Sequence, residues 1–488
     1  MSVPIQATPE IVWRSIGPVL VLAGAAALTL LWGAFARRIR RERFAILTLA
    51  ALGGAGFLTF DLARADREIV GMQGMVAVDG VALFTNLVLL LAAGLTVLAS
   101  FDYLSARRIH RFEFYPLLLL ATAGMVLLAS AANLILLFIA LEVLSLSLYV
   151  LVGLARADGG AQEASMKYFL LGAFSSAILL YGIALAYGAT GETSISAIAD
   201  AVAGGTADLD LLWPAVALVA VGFAFKVGAV PFHMWTPDVY QGAPTTVTGF
   251  MAAATKAAAF AALLRVFLVS FGSLQFDWRP ALWLIAIVTM LLGSVVAIVQ
   301  TDVKRLLAYS SIAHAGFVLI GVVAADRQGL AGSLFYLLVY ALMTIGAFAL
   351  VAATFARGSE RLDVGAWAGL GRGSPVVAGA MTLFLVSMAG LPPTAGFMAK
   401  FFVFKAAVEA GETWLVLAGV AASVIAAFFY LRLIVAMWMQ EPEPSMEPVT
   451  VGMPAGVALA VTGLATLALG VYPQALMDLA RTAAVFTG

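Results

Sequence analysis

The chain has 488 residues, of which 63% are hydrophobic and 11% are charged, and its formal net charge is zero. Soluble domains carry about 25% charged residues, so this composition predicts an integral membrane protein, and the zero net charge gives no indication of nucleic-acid binding. The absence of cysteine excludes disulfides, thiol redox chemistry and iron–sulfur clusters ligated by this chain.

Apolar stretches of about 17–25 residues mark spanning helices, and about fourteen of them follow one another along the chain. No long polar segment interrupts them, so a separate soluble domain is not predicted. The predicted spans are 11–34, 44–62, 79–100, 115–130, 132–154, 163–188, 212–236, 244–271, 281–300, 305–324, 329–356, 375–408, 413–437 and 451–471.

The loops carry unequal numbers of basic residues on the two sides of the predicted bundle. If the N-terminus lies outside, 14 loop Lys and Arg residues lie inside and 6 lie outside. Cytoplasmic loops are enriched in Lys and Arg, so this count predicts that both termini are periplasmic. The acidic loop at 441–447 is a mild exception, because acidic residues contribute little to the rule.

Two of the predicted spans look broken by prolines. The first, 212–236, contains Pro231 and is followed directly by Pro237, and the second, 375–408, contains Pro392 and Pro393. Proline interrupts a helix, and unwound backbone in a membrane survives only where protein or water satisfies it. Paired broken helices indicate a transport site between repeats, and an offset of five spans would invert the second unit relative to the first.

Five of the six lysines lie inside apolar stretches, whereas most arginines lie in polar loops and Lys304 lies in a polar turn. Lys226, Lys256 and Lys400 are predicted to lie deep in the membrane, and Glu142 about 15 Å deep at 1.5 Å per residue. A charge at the bilayer centre costs about 2.5–3.5 kcal/mol on insertion scales, so these residues are predicted to be functional. The alternative is a structural ion pair between Glu142 and Lys226.

The other lysines lie nearer to helix ends. Lys167 is a turn or so into its helix. There its side chain could simply extend to the membrane interface, which is a serious alternative to a functional role. Lys405 lies toward the outer end of its helix with Glu409 four residues later, so a lysine that extends to the interface or forms an i,i+4 surface ion pair is the better interpretation there. Arg265 and Arg432 are predicted to be interfacial anchors.

The three histidines are far apart in sequence and predict no metal site. His314 falls in the middle of a predicted span, where a neutral imidazole could donate and accept a proton, or could simply be hydrogen-bonded in the core. His233 follows the first break, and His110 lies among loop arginines.

Buried lysine suits proton transfer, because a desolvated ammonium loses its proton more readily whereas guanidinium stays charged. A carboxylate at variable distance would switch such a lysine between holding and releasing a proton. Lysines connected by water would then conduct protons in charge-coupled steps. The glycine run at 369–373 lacks the strand context of a nucleotide site.

Five stretches carry a family resemblance. They are FKVGAVPFHMWTPDVYQGAP at 225–244, VDGVALF at 78–84, LEVLS at 141–145, KRLLAYSSIAH at 304–314 and LPPTAGFMAK at 391–400. Together they resemble subunit N of bacterial respiratory complex I (NADH:quinone oxidoreductase), an antiporter-like membrane-arm subunit. The DVYQGAP ending is similar to subunit N rather than to its sister subunits.

The resemblance implies an all-α integral membrane fold of fourteen helices with two inverted five-helix repeats, helices 4–8 and 9–13, each with one broken helix. The corresponding regions are 1–112, 113–272, 273–440 and 441–488. The resemblance also implies a proton channel in which Glu142 modulates Lys226, Lys256 is central and Lys400 serves the outer half-channel. Lys167 and His314 match family positions, whereas Lys405 has no family role.

The implied protein has no cofactor on this chain. FMN, iron–sulfur clusters and quinone are expected on other subunits of the complex in the bacterial inner membrane. The expected partners are the sister and small membrane-arm subunits and the lipid bilayer. One alternative is an Mrp-type sodium/proton antiporter subunit, and another is a membrane scaffold whose lysines form static pairs.

Overall fold

The computed structural model describes residues 12–35, 41–65, 69–109, 111–355, 360–442 and 447–486. The first ten α-helices are α1 Trp13–Phe35, α2 Arg41–Arg64, α3 Gly80–Ala106, α4 Phe114–Ala129, α5 Leu134–Val152, α6 Gly159–Thr190, α7 Ile195–Ala203, α8 Leu209–Val227, α9 Trp235–Gly242 and α10 Thr245–Phe250. The others are α11 Lys256–Arg265, α12 Gln275–Ile298, α13 Val303–Ala324, α14 Arg327–Ala353, α15 Leu370–Gly373, α16 Pro375–Ala389, α17 Ala395–Glu409, α18 Thr413–Met439, α19 Met453–Val471 and α20 Gln474–Ala483.

Shorter elements complete the described chain. The π-helical turn Met251–Thr255 joins α10 to α11, and a second π-helical turn, Val266–Ser270, extends α11. Together they form one span that runs from Thr245 to Ser270. Turns of 3₁₀ helix lie at Gly272–Leu274 and Val364–Trp367. Strands β1 Ile69–Gly71 and β2 Val76–Val78 form an antiparallel hairpin between α2 and α3.

The predicted all-α membrane fold is confirmed. Twelve helices among the described residues are long and apolar enough to cross a membrane. The short apolar helix α4 and the two-part helix α16–α17 bring the spans to the predicted fourteen. Five basic residues used in the loop-charge count lie outside the described residues: Arg37, Arg38, Arg40, Arg67 and Arg357.

Both spans that were predicted to be broken are broken. The first divides into α8 and α9, and the second divides into α16 and α17. The first half of each ends at a left-handed glycine, Gly228 at φ +74° and Gly390 at φ +86°. Glycine adopts this conformation without the steric penalty of a side chain, so it terminates a helix and frees the following residues to turn.

Three helices form the centre of the bundle. Within an apolar stretch of 18 residues in each helix, 89% of the residues are buried in the span 245–270 and 94% in each of α13 and α14, whereas 22% are buried in α19 at the periphery. A helix that is buried on every side must carry its polar groups toward partners inside the protein. Polar side chains on these three helices are therefore held in the interior. The two ends of the bundle are named after the residues that flank α3, as the Asp79 end and the Arg107 end.

Candidate functional site

Lys226 lies in the last turn of α8, directly before the first helix break, and its side chain is buried. Its Nζ donates a hydrogen bond to Ser145 Oγ on α5 at 2.7 Å. The Ser145 hydroxyl in turn donates to the carbonyl of Leu141. The ammonium is thus held at the break by a hydroxyl rather than by an opposite charge.

Glu142 lies one turn before Ser145 on α5 and is only half-buried. One of its carboxylate oxygens accepts a hydrogen bond from Ser176 of α6. The carboxylate and Lys226 interact through space, but among the described residues no carboxylate oxygen lies within 4 Å of Lys226 Nζ. The structural ion pair considered from the sequence is therefore not a direct contact.

Lys256 is the first residue of α11 and directly follows the π-helical turn Met251–Thr255. π-Turns occur frequently at functional sites, and the extra residue changes the direction of the side chains that follow. The buried Lys256 Nζ bonds to Ser311 Oγ at 2.5 Å and also to the Ser311 carbonyl. The same Nζ lies 5.8 Å from the centroid of the Tyr340 ring, a cation–π distance.

His314 lies three residues after Ser311 on the same face of α13, and its imidazole is buried between two tyrosines. Nδ1 lies 2.6 Å from the Tyr336 hydroxyl, and Nε2 lies 3.3 Å from the Tyr430 hydroxyl. Both ring nitrogens therefore have partners. A neutral imidazole in this setting donates through one nitrogen and accepts through the other.

Lys400 lies on α17, and its buried Nζ reaches back across the second break. It donates to the carbonyl of Ala389, the last residue of α16, at 2.9 Å and to Ser423 Oγ at 3.2 Å. The Nζ also lies 4.5 Å from the Phe317 ring centroid, and Phe317 follows His314 by three residues. Ser311, His314 and Phe317 therefore form one stripe of α13 that runs from Lys256 to Lys400.

A charged cleft of about 580 Å³ opens at the Arg107 end. Eight of its lining residues are ionisable: Arg107, Asp158, Glu163, Lys167, Asp238, Lys304, Arg305 and Glu360. The cleft carries four cations and four anions, and all of them except Lys304 lie within 4 Å of an opposite charge in the cleft.

Lys167 is part of this cleft and not of the buried row. Its Nζ pairs with Glu163 at 2.7 Å and with Asp238 at 2.8 Å, and its side chain is 43% exposed. Arg305 contacts the same aspartate at 2.7 Å. Burial opposes ionisation of Asp238, but hydrogen bonds from Lys167 and Arg305 outweigh it and hold the pKa of Asp238 below its ordinary value.

Glu360 closes the inner wall of the cleft and is almost fully buried. It accepts hydrogen bonds from the Tyr103 hydroxyl and from the Thr245 hydroxyl at the start of α10. Arg107 Nη1 lies 3.4 Å from the same carboxylate. Lys304, which the sequence places in a polar turn, is in fact buried and donates to the Ala243 carbonyl at 2.7 Å.

Residues 131–426 match the model of a family described as NADH:quinone oxidoreductase/Mrp antiporter, TM. The chain is 45% identical to NADH-quinone oxidoreductase subunit N of Rhodococcus opacus (strain B4), over 98% of this chain and 97% of that protein. The chain belongs to this family. The resemblance to subunit N predicted from the sequence is confirmed.

Solved structures agree with this assignment. A chain of Thermus thermophilus respiratory complex I with bound aureothin is 37% identical, with a TM-score of 0.79 over 94% of this chain and 98% of that one. A chain of the Mrp complex from Dietzia sp. DQ12-45-1b has a TM-score of 0.87 over 97% of each chain. The Mrp chain is only 24% identical, so that likeness concerns the fold alone.

Two predictions about basic residues have clear outcomes. Lys405 is half-exposed and lies 3.7 Å from Glu409, so the predicted surface pair is confirmed. Arg265 is not an interfacial anchor: it is 1% exposed and bonds to both carboxylate oxygens of Asp79, at 2.5 and 2.9 Å. The prediction was wrong because it relied only on the position of Arg265 near the end of a predicted span. In the structure, Asp79, the N-cap residue of α3, is a buried counter-ion for the guanidinium.

Arg432 is half-buried and donates to the Ile298 and Gln300 carbonyls, so it caps the C-terminal end of α12. His233 lies in the first break, and its Nδ1 has no partner among the described residues. His110 lies outside the described residues.

The interior hydroxyl groups were missed by the sequence reasoning. Ser145, Ser311 and Tyr336 bind the predicted proton carriers directly, yet none was singled out. A signal existed, because a hydroxyl inside a spanning segment requires a hydrogen-bond partner and tends to face the protein interior. The sequence alone does not indicate which hydroxyl meets which lysine.

Proposed function

We propose that this chain is a proton-translocating membrane-arm subunit of NADH:quinone oxidoreductase. The observation that carries the proposal is a buried row in which Lys256 of α11 contacts Ser311, and Ser311 and His314 of α13 lead along that helix to Lys400 of α17. Each ionisable member is held by hydroxyl or carbonyl groups that can stay in place while its proton leaves. Such a row moves protons without a redox centre of its own.

The roles of individual residues follow from their positions. Lys226, Lys256 and Lys400 accept and release the proton, and His314 passes it through its two nitrogens. Glu142 modulates Lys226 through space, because it lies one turn from the serine that binds the ammonium. Lys167 would feed the row from the charged cleft.

A static scaffold is the less favourable interpretation. In the described part of the chain, Lys226, Lys256 and Lys400 have no carboxylate within 4 Å. Buried charges in purely structural roles are normally paired, since an isolated buried charge is costly. Buried lysines with only neutral partners therefore favour proton exchange over permanent ion pairing.

The partners are other subunits of the membrane arm, to which the structural relatives belong, and the lipid bilayer. NADH oxidation and quinone reduction would take place on other subunits, which would hold FMN, the iron–sulfur clusters and quinone. Within the described residues no group of three or more His, Asp or Glu side chains could hold a metal ion. We place the chain in a bacterial inner membrane with both termini periplasmic, which puts the charged cleft on the cytoplasmic side.

The domain organisation is part of the same proposal. Residues 113–272 and 273–440 would form two inverted antiporter-like units, flanked by 1–112 and 441–488. In support, each unit contains one broken helix whose first half ends at a left-handed glycine and has a lysine ammonium at the break.

The test uses Lys226→Ala and Lys400→Ala in the assembled complex in inverted membrane vesicles, with Lys405→Ala as the matched lysine control. NADH-driven proton uptake should fall several-fold in the first two variants and stay unchanged in the control. Normal pumping in both buried-lysine variants would overturn the proton-channel assignment. Co-purification with flavin and iron–sulfur subunits separates this function from that of an Mrp-type antiporter.

A further inference from the structure

Between Lys226 and Lys256 lies an aromatic cluster formed by Tyr168, Trp235 and Tyr240. Tyr168 and Trp235 stack with ring centroids 4.8 Å apart, and the Tyr240 ring lies 6.1 Å from Trp235 in an edge-on contact. All three side chains are buried. The cluster joins two elements, because Tyr168 lies on α6 and the other two residues lie on α9, directly after the first helix break.

Each end of the cluster meets one of the buried lysines. Lys226 Nζ lies 5.8 Å from the centroid of the Tyr168 ring. At the other end, the Tyr240 hydroxyl interacts with the Ser311 side chain. Ser311 Oγ is also the group that accepts the hydrogen bond from Lys256 at 2.5 Å. The cluster thus spans from one lysine to the hydroxyl that holds the next.

The Tyr168 hydroxyl is the least expected feature of the cluster. It is fully buried and has no hydrogen-bond partner among the described residues. A buried hydroxyl without a partner costs about 1–3 kcal/mol, so phenylalanine would serve packing better. Thr236 Oγ1, next to Trp235 in sequence, is buried and lacks a partner in the same way. An ordered water can satisfy a buried hydroxyl that has no protein partner.

Packing alone does not require the Tyr240 hydroxyl either. The Tyr240 ring is fixed by edge-on contacts with Trp235 and with Phe348, whose centroid is 6.4 Å away. The Tyr240 main-chain carbonyl accepts a bond from Thr248, which holds the backbone of α9. The ring position is therefore set without the phenol oxygen, which remains available to interact with Ser311.

We propose that Tyr168 and Tyr240 are proton-transfer residues that carry the proton between Lys226 and Lys256, with water completing the chain of hydrogen bonds. This inference rests on the proposed function. Lys226 gives up one proton at the Tyr168 end, each phenol oxygen accepts one proton and donates another, and Lys256 gains one through Ser311. Both phenols end the step unchanged, so only the two lysines change protonation state.

The test compares Tyr240→Phe and Tyr168→Phe with Tyr115→Phe in the assembled complex in inverted vesicles. Tyr115 is a matched control, because it is buried and ring-packed against Phe44 but lies on α4, outside the cluster. Each substitution removes one oxygen and keeps the ring. The amount of assembled complex is measured by flavin-dependent NADH oxidation with an artificial acceptor.

Loss of the Tyr240 hydroxyl should lower NADH-driven proton uptake about ten-fold, and loss of the Tyr168 hydroxyl somewhat less. A positioned proton donor can contribute about 100-fold or more, and water replaces part of that effect. The solvent deuterium isotope effect on the coupled rate should rise in both variants and not in the control, which a purely structural defect would not produce.

Wild-type pumping and an unchanged isotope effect in both cluster variants would overturn the relay. Lys256→Ala, measured in parallel, distinguishes failure of the relay from failure of the proposed function. If this lysine variant loses pumping while both phenylalanine variants keep it, the relay fails and the proposed function stands. If the lysine variant also pumps normally, the proposed function itself fails.

Discussion

The ammonium of Lys400 binds the main-chain carbonyl of Ala389, 2.9 Å away, across the gap between the two halves of one broken helix. Ala389 is the last residue of α16, and the carbonyl end of a helix carries partial negative charge. Lys226, in the last turn of α8, lies at the equivalent end of the other broken helix. Each break therefore favours a cation without a carboxylate, which stabilises an ammonium while leaving it able to lose its proton.

Replacing Lys400 with arginine tests whether proton release matters as distinct from positive charge. Guanidinium can still donate to the Ala389 carbonyl but does not lose its proton at any pH a protein survives. We expect Lys400→Arg to assemble normally and to lose most of its NADH-driven proton uptake. Lys405→Arg, on the exposed face of the same helix, should pump like wild type. A fully active Lys400→Arg would mean that a fixed charge is sufficient.

Gly390→Ala should disturb the same lysine through the backbone. Gly390 has φ +86°, and an added Cβ would lie 2.9 Å from Cδ of Lys400. The left-handed conformation costs an L-residue about 1–2 kcal/mol, and the methyl group would also displace the lysine. Proton uptake and the thermal midpoint of the purified complex should both fall.

Gly379→Ala is the control for this substitution. Gly379 lies inside α16 with no atom within 4 Å of an added Cβ, so alanine should be neutral or stabilise by about 0.5–1 kcal/mol. Equal effects of the two alanine substitutions on pumping would contradict the role assigned to Gly390.

The sequence predicted those features that depend on local chemistry. Prolines at 231 and 392–393 located both breaks, and the depth of Lys226, Lys256 and Lys400 in apolar stretches predicted their burial. Tertiary pairing could not be predicted in the same way. Lys304 follows Asp302 in a polar stretch, yet α13 packs so that its ammonium meets the Ala243 carbonyl, 61 residues away in sequence.

Asp238→Asn should lower the free energy of unfolding by removing ion pairs of the charged cleft. The size of this effect should not depend on pH near neutrality. Because the folded pKa of Asp238 is depressed by Lys167 and Arg305, its stabilising effect is fully present above the unfolded value of about 3.9. That effect is lost only as the pH falls through the folded pKa. Lys167 and Arg305 are partly exposed, so the substitution is expected to lower the free energy of unfolding by about 0.2–1 kcal/mol.

The measurement is the difference in thermal midpoint between Asp238→Asn and wild-type complex from pH 6 to pH 8. A constant difference is expected throughout this range. A difference that shrinks steadily toward pH 6 would show that a different group, titrating near neutrality, controls the cleft.

Arg265→Leu should be the most destabilising of these substitutions. Arg265 and Asp79 are both almost completely buried, and the guanidinium also reaches the Ala129 carbonyl and packs 5.0 Å from the Phe486 ring centroid. The substitution removes the bidentate partner of a buried carboxylate, and breaking a buried ion pair in this way costs about 3–5 kcal/mol. The pair joins the cap of α3 to the span 245–270, so the yield of assembled complex should fall sharply.

The double variant Asp79→Asn with Arg265→Leu distinguishes two causes of the instability, the unbalanced buried charge and the lost packing of the guanidinium. Asparagine keeps an oxygen that can cap α3 but carries no charge, so assembly and thermal midpoint should recover in large part. Lys405→Leu breaks an exposed pair and should cost no more than about 0.5 kcal/mol. If the double variant is as unstable as Arg265→Leu alone, packing of the guanidinium, and not its charge, holds this end of the bundle together.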